Sequence, residues 1–235
     1  MLRIEGLVKD FGGLRALAGL DFEVPERSIL GVLGMNGSGK TTMLNCINGI
    51  YIASSGSIRL EGTELIGLKP AQVFEHGVGR TFQVPRVFPR MTLWDNLAVP
   101  LLSRSLNRAE RDEIRITWLK KVQLYDLRHN YAEELSGGQQ KLLELARIMV
   151  ARPKLVLLDE PFAGVNPTLS RLLIDVIREM PEDTGCSVIL VSHDLTSIYE
   201  LSHDIIVMHE GRILARGDAA TVQANPDVIE AYLGA

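Results

Sequence analysis

Cysteine is scarce in this chain: Cys46 and Cys186 are the only two among 235 residues, and neither stands at metal-ligand spacing or beside a histidine cluster. A disulfide framework and a zinc site are therefore unsupported, and a reduced, packing role is expected for both, since free cysteine tends to be buried. A basic excess is also missing. With a net charge of -4 the chain lacks the clustered positive surface typical of nucleic-acid binders, and no nucleic acid is expected among its partners. Long hydrophobic runs are absent: the stretches 155–158, 188–191 and 205–208 are strand-length, far below the ~20 residues that span a bilayer. The opening Met1-Leu2-Arg3-Ile4-Glu5-Gly6 is broken by charge and does not read as a secretory signal, so export is not expected. No repeat, low-complexity tract or Pro/Gly/Ser linker divides the chain, and residues 1–235 are expected to form one domain.

What is present suffices for one substantial core, with 46% hydrophobic and 23% charged residues. Short apolar runs alternate with helical patterns, which predicts an α/β architecture around a mainly parallel sheet. Residues 29–33 read as a buried strand, 40–48 as the helix after it, and 155–158, 187–191 and 205–208 as further strands. Segments 2–8, 20–24 and 57–60 read as antiparallel strands beside that core. From about 88 to 150 the pattern turns to nearly all helix, with 108–122 and 138–150 as its long members. In the second of these, Leu142, Leu145, Ala146 and Met149 recur at helical spacing on one apolar face. A helical subdomain is expected there. The segment 225–233 reads as a short terminal helix with Asn225 at its start and Pro226 in its first position.

Between the 29–33 strand and its helix lies Gly34-Met35-Asn36-Gly37-Ser38-Gly39-Lys40-Thr41. A glycine-rich turn in this setting lets successive backbone N–H groups converge on phosphate oxygens, and the helix N-terminus adds partial positive charge at the same spot. Lys40 would reach the β- and γ-phosphates, Thr41 would place its hydroxyl on Mg²⁺, and Thr42 would add a phosphate contact. Asp159 ends an apolar strand, where a carboxylate can hold magnesium opposite Thr41. Glu160 follows directly. Alternation at the strand end would send the two acids to different sides, one toward the metal and one toward the attacking water.

At Leu135-Ser136-Gly137-Gly138-Gln139 the chain resembles the signature of ATP-binding cassette proteins, and its motifs stand in that family's order over essentially the whole length. The resemblance implies a phosphate-loop NTPase fold: a RecA-like core with an antiparallel β subdomain and a helical signature subdomain. It implies ATP hydrolysis coupled to transport across a membrane, with ATP and Mg²⁺ bound. It also implies a head-to-tail dimer, in which Ser136, Gly137, Gly138 and Gln139 of one subunit close over the γ-phosphate held by Lys40 of the other. A helix start capped by Ser136 is the structural role open to the same residues. Gln83, in Gly79-Arg80-Thr81-Phe82-Gln83, matches the family's Gln loop, whose amide touches magnesium and water. His193, in Val191-Ser192-His193-Asp194, matches the switch histidine at the γ-phosphate, and Phe11 matches the aromatic that stacks on adenine. One departure stands out: Phe162-Ala163-Gly164-Val165-Asn166 replaces the widespread Ser-Ala-Leu-Asp pattern, so Asn166 lacks the usual charge.

Within the family the chain is most similar to the ATPases of branched-chain amino acid importers. The marks are the Gly79 to Gln83 segment, Phe88-Pro89-Arg90-Met91-Thr92-Leu93-Trp94-Asp95-Asn96-Leu97, and the ending Asn225 through Gly234. This likeness implies transmembrane permease subunits as partners, docked on residues 84–97, and a solute-binding protein acting indirectly. It implies a place on the cytoplasmic face of the membrane, with a second copy or a related ATPase completing the dimer. An ATPase of a lipid or lipopolysaccharide exporter, which residues 160–165 also resemble, a cassette protein that works away from membranes, and a phosphate-loop kinase for small molecules are the alternatives.

Overall fold

The computed structural model describes residues 1–102 and 104–233; Gly234, named above with the terminal segment, lies outside them. The strands are β1 (Leu2–Phe11), β2 (Leu14–Val24), β3 (Ile29–Gly34), β4 (Ser55–Leu60), β5 (Thr63–Glu64), β6 (Val78–Arg80), β7 (Leu155–Asp159), β8 (Ser187–Val191), β9 (Asp204–His209) and β10 (Arg212–Gly217). The helices are α1 (Lys40–Ile47), α2 (Pro70–Glu75), α3 (Leu93–Ala98), α4 (Arg108–Lys121), α5 (Gly137–Met149), α6 (Pro167–Thr184), α7 (Leu195–Leu201), α8 (Ala219–Ala224) and α9 (Pro226–Leu233).

Two sheets organise the chain. The larger has the order β10-β9-β3-β8-β7-β6, parallel from β9 to β6 with β10 antiparallel on one edge. Its central strands carry apolar side chains on both faces, the expected composition of a sheet covered on both sides. Leu33, Val156, Leu158, Val188 and Leu190 share one core cluster with the inner faces of α5, α6 and α7. Their strand neighbours Val32, Leu155, Leu157, Ile189 and Val191 point the other way, against α1 and the second sheet. That second sheet, β2-β1-β4-β5, is wholly antiparallel.

Residues 88–150 are less continuously helical than their composition suggests. Between α4 and α5 the chain makes two short 3₁₀ turns, Tyr125–Leu127 and Ala132–Glu134. The backbone there is satisfied across the loop instead: Leu93 N–H donates to Asn130 O at 3.1 Å and Trp94 N–H to Arg128 O at 3.0 Å. Buried Asn96 holds the preceding segment, its amide donating to the carbonyls of Phe88 and Met91 at 3.0 and 3.2 Å. Cys46 and Cys186 are free and buried, and burial pushes the Cys46 thiol up to about 11. Among the described residues no helix is long and apolar enough to cross a membrane.

Candidate active site

In an open parallel sheet, ligands bind beyond the carboxyl ends of the strands. Here β3 ends at Gly34 beside Met208, and β7 ends at Asp159 beside Val191. A cleft of about 1030 Å³ opens at that edge, lined by Phe11, all residues from Gly34 to Thr42, Gln83, Asp159, Glu160 and His193. These five chain segments thus converge on one cavity. Ser136 to Gln139 are not among its lining residues; they stand at the start of α5.

The loop from Gly34 to Lys40 has the form of an anion cradle. Gly39, at φ 105°, packs so closely that a Cβ would meet the Ala16 carbonyl oxygen at 2.8 Å, which ties the turn to the β-hairpin behind it. Gly37, at φ 82°, has open space where a Cβ would stand, so its backbone can be approached by a ligand. The Ser38 hydroxyl is buried with no hydrogen-bond partner among the described residues. Lys40 Nζ is folded back onto the loop, donating to the carbonyls of Gly34 and Met35 at 2.6 and 2.9 Å. Burial lowers its pKa, while the nearby charges of Glu160 and Asp159 raise it. An ammonium lying on carbonyls it can leave, beside an orphaned hydroxyl and an open backbone, fits a nucleotide's phosphates.

The two acids at the end of β7 diverge, but for a reason other than simple strand alternation. Asp159 is the last strand residue, whereas Glu160 has left the strand at φ 50°, the left-handed region that non-glycine residues seldom adopt. Its N–H donates to Val191 O at 2.9 Å, which pins the kink between β7 and β8. The Glu160 carboxylate reaches His193, Oε2 to Nδ1 at 2.8 Å and to the His193 N–H at 3.3 Å. The histidine ring is 73% exposed against 15% for the glutamate. The pair also borders a second cleft of about 450 Å³ walled by Phe162, Gly164 and Asp194, so it divides two openings.

Asp159 is held by a residue whose role the sequence did not disclose. Arg80 Nη2 donates to Asp159 Oδ2 at 3.0 Å, with side chains 5% and 8% exposed, and Nη1 donates to Asn45 Oδ1 at 2.6 Å. The guanidinium lies 5.0 Å from the Phe82 ring. One arginine therefore joins α1, β6 and β7 immediately behind the cleft. The available signal was a cation directly after the apolar pair Val78-Gly79, at the end of the short strand Val78–Arg80, a position that calls for a buried partner. Asp159, Thr41 and Gln83 offer oxygen donors of the hard kind that suit Mg²⁺. No group of three or more His, Cys, Asp or Glu side chains capable of holding a metal occurs among the described residues.

Phe11 ends β1 at 40% exposure, edge-on to Tyr51 at 5.1 Å and 4.7 Å from Lys9 Nζ. Its ring is offered to the cleft rather than to the core. At α5, Ser136 and Gln139 form a capping box: Gln139 N–H donates to Ser136 Oγ at 3.4 Å and Ser136 N–H to Gln139 Oε1 at 3.0 Å. Asn166 caps α6, accepting from Leu169 N–H at 3.0 Å, so its amide does the local work that an aspartate would do at that place. The segment 84–97 divides. Leu93 and Leu97 are core, whereas Val84 and Phe88 are exposed at 73% and 41%.

Comparison with known proteins sets this geometry in a family. A model described as branched-chain amino acid ATP-binding cassette transporter matches residues 212–235. Over its full length the chain is 38% identical to the high-affinity branched-chain amino acid transport ATP-binding protein BraF of Pseudomonas aeruginosa, 98% of which is covered. It is 36% identical to the protein of like description, LivG, of Escherichia coli, again with 98% covered. Among solved structures, a nucleotide-free ATP-binding cassette from an ABC transporter superposes with a TM-score of 0.88 at 30% identity, over all of this chain and 99% of that one. A cassette of an ABC transporter in its ADP conformation gives the same score, identity and coverage. A model described as ABC transporter matches residues 17–163, more than half of the chain, and with the full-length relatives it makes this protein a member of the ABC transporter family, as one of its ATP-hydrolysing nucleotide-binding subunits.

Proposed function

We propose that this chain drives a branched-chain amino acid importer by hydrolysing ATP in the cleft between the Gly34–Lys40 loop and the Glu160–His193 pair. The observation that carries the reading is the Glu160 contact with His193 at 2.8 Å, in the lining of a cleft that Lys40 also lines. Phe11 stacks on the base, which gives affinity with little discrimination between purines. The loop amides and Lys40 receive the phosphates, and Lys40 exchanges its carbonyl partners for phosphate oxygens. Glu160 accepts the proton of the attacking water, and His193 steadies the γ-phosphate and orients the acid. Thr41, Gln83 and Asp159 would hold Mg²⁺, which when bound neutralises charge on the β- and γ-phosphates.

Ser136, Gly137, Gly138 and Gln139 lie outside the cleft of their own chain, which supports their serving the site of a second subunit, this chain or a related ATPase. Closing two subunits around nucleotide and reopening them after hydrolysis gives differential affinity between two states, which can move permease subunits between their facings. The exposed Val84 and Phe88 support docking of those permeases at the cytoplasmic face of the membrane, with a solute-binding protein acting through them. The names of the full-length relatives favour the amino acid reading over lipid export. The test is Glu160→Gln in the purified full chain. Nucleotide binding should persist while turnover falls ~10²-fold or more, the scale of a lost general base. Turnover near that of the unaltered chain would reject the assignment.

A further inference from the structure

Helix α5 carries two buried ionisable side chains that the hydrolytic reading leaves unused: Glu144 is 1% exposed and Lys141 8%. They stand one helical turn apart and so share a face. Neither makes an ion pair among the described residues. The Glu144 carboxylate accepts two backbone N–H groups, Phe82 at 3.3 Å on Oε2 and Arg86 at 2.7 Å on Oε1. These bonds straddle Gln83, fastening its loop on both sides. Lys141 Nζ donates to Glu160 O at 2.9 Å and to Ala163 O at 2.7 Å, fastening the turn in which Glu160 adopts φ 50°.

An apolar core has no need of a carboxylate here. The space beside Glu144 is a cavity of about 10 Å³ shared with Thr81, Leu158, Pro161 and Leu173, and burial drives the Glu144 pKa up to about 7 in spite of its backbone partners and the charges of Arg147 and Lys141. A desolvated carboxylate is costly unless its hydrogen bonds are put to use. We propose that Glu144 and Lys141 are positioning residues, which from one face of α5 fix the Gln83 loop and the Glu160 turn in register across the nucleotide cleft. The proposal rests on the roles given above to Gln83 and Glu160. Its consequence is that a shift of α5, the helix that begins with Ser136, moves both catalytic segments together.

The test uses the purified full chain and compares Glu144→Ala, Glu144→Gln, Gln83→Ala and the Gln83→Ala/Glu144→Ala double variant. ATP turnover and amide hydrogen exchange at Phe82 and Arg86 are both measured. Glu144→Ala should lower kcat ~10-fold or more with KM for ATP within ~2-fold, since displaced catalytic groups cost turnover rather than ground-state binding. Both amides should lose protection, and the double variant should be no slower than Gln83→Ala alone. Glu144→Gln offers one acceptor oxygen in place of two, so one amide should stay protected and kcat should fall between the extremes. That variant carries the test if the alanine form does not fold. Deprotected amides with unchanged kcat would overturn the positioning role while leaving Gln83 in place, as would multiplicative losses in the double variant. Unchanged turnover in Gln83→Ala would overturn the reading of Gln83 and, with it, Glu144 as its positioner.

Discussion

Glu144 shows at a single residue how the site is held at a cost to the fold. Its carboxyl is raised from 4.5 to about 7, chiefly by burial. The groups facing it are few: Lys141 and Arg147 on its own helix, the backbone N–H groups of Phe82 and Arg86, and the apolar Leu158 of β7 and Leu173 and Ile177 of α6. Between the unfolded pKa near 4.5 and the folded one near 7, the native state keeps a proton that the unfolded chain has released. Stability therefore falls as pH rises through that window, and the full cost stands above it. The shift corresponds to about 3 kcal/mol at ~1.36 kcal/mol per unit. Glu144→Gln has no such titration. Urea unfolding of the two proteins from about pH 5 to about pH 8 should show the parent losing up to about 3 kcal/mol relative to the variant. A difference that stays flat with pH would mean that Glu144 is ionised throughout.

At the scale of elements, the parts that were legible in the sequence are those with one dominant force. The runs 29–33, 155–158, 187–191 and 205–208 announce strands because both faces of the parallel sheet are covered, leaving no polar alternation to confuse the pattern. β6 was missed because it is short and interrupted by Gly79 and Arg80, and β10 because an edge strand leaves its residues exposed or half-buried. β1 and β2 extend past their expected ends. Their pairing shifts register between Ile4 and Leu7 and again between Lys9 and Asp10, and such bulges scramble the two-residue period. The glycine loop, the two acids and the signature could be read from local order alone. The Arg80–Asp159 and Glu160–His193 contacts could not, because they depend on β6, β7 and β8 being neighbours, which no local pattern specifies.

The same scale tests Asn166. Its side chain caps α6 while Pro167 takes the first helical position. Asn166→Ala should lower stability by about 1 kcal/mol. Asn166→Asp should match or exceed the parent by a few tenths, ~0.3 kcal/mol or more, because a carboxylate at a helix N-terminus gains from the dipole. Denaturant midpoints measured for the three proteins decide it. A loss on Asn166→Asp as large as that on alanine would show that the amide N–H₂ group is what the position requires.

In the proposed mechanism, the chemistry of the whole molecule faces outward on two fronts. The cleft opens at the carboxyl edge of the sheet, while the cap of α5 stands away from it and leaves Ser136 and Gly137 exposed. Neither front closes within one chain, and the exposed Val84 and Phe88 add a third surface with apolar character. Such a protein stores no work alone; it can couple hydrolysis only to partners whose affinity differs between its open and closed states. A variant that binds ATP and cannot release it by hydrolysis should therefore hold those partners longest. Tagged Glu160→Gln, recovered from membranes solubilised with ATP and magnesium, should bring down two different multispanning permeases and a second cassette ATPase, identified by mass spectrometry. Permeases of a lipid exporter in their place would replace the transported class while keeping the mechanism. A purely soluble set of partners would remove transport altogether, and the outward-facing Val84 and Phe88 would then have to be read as a surface for another protein.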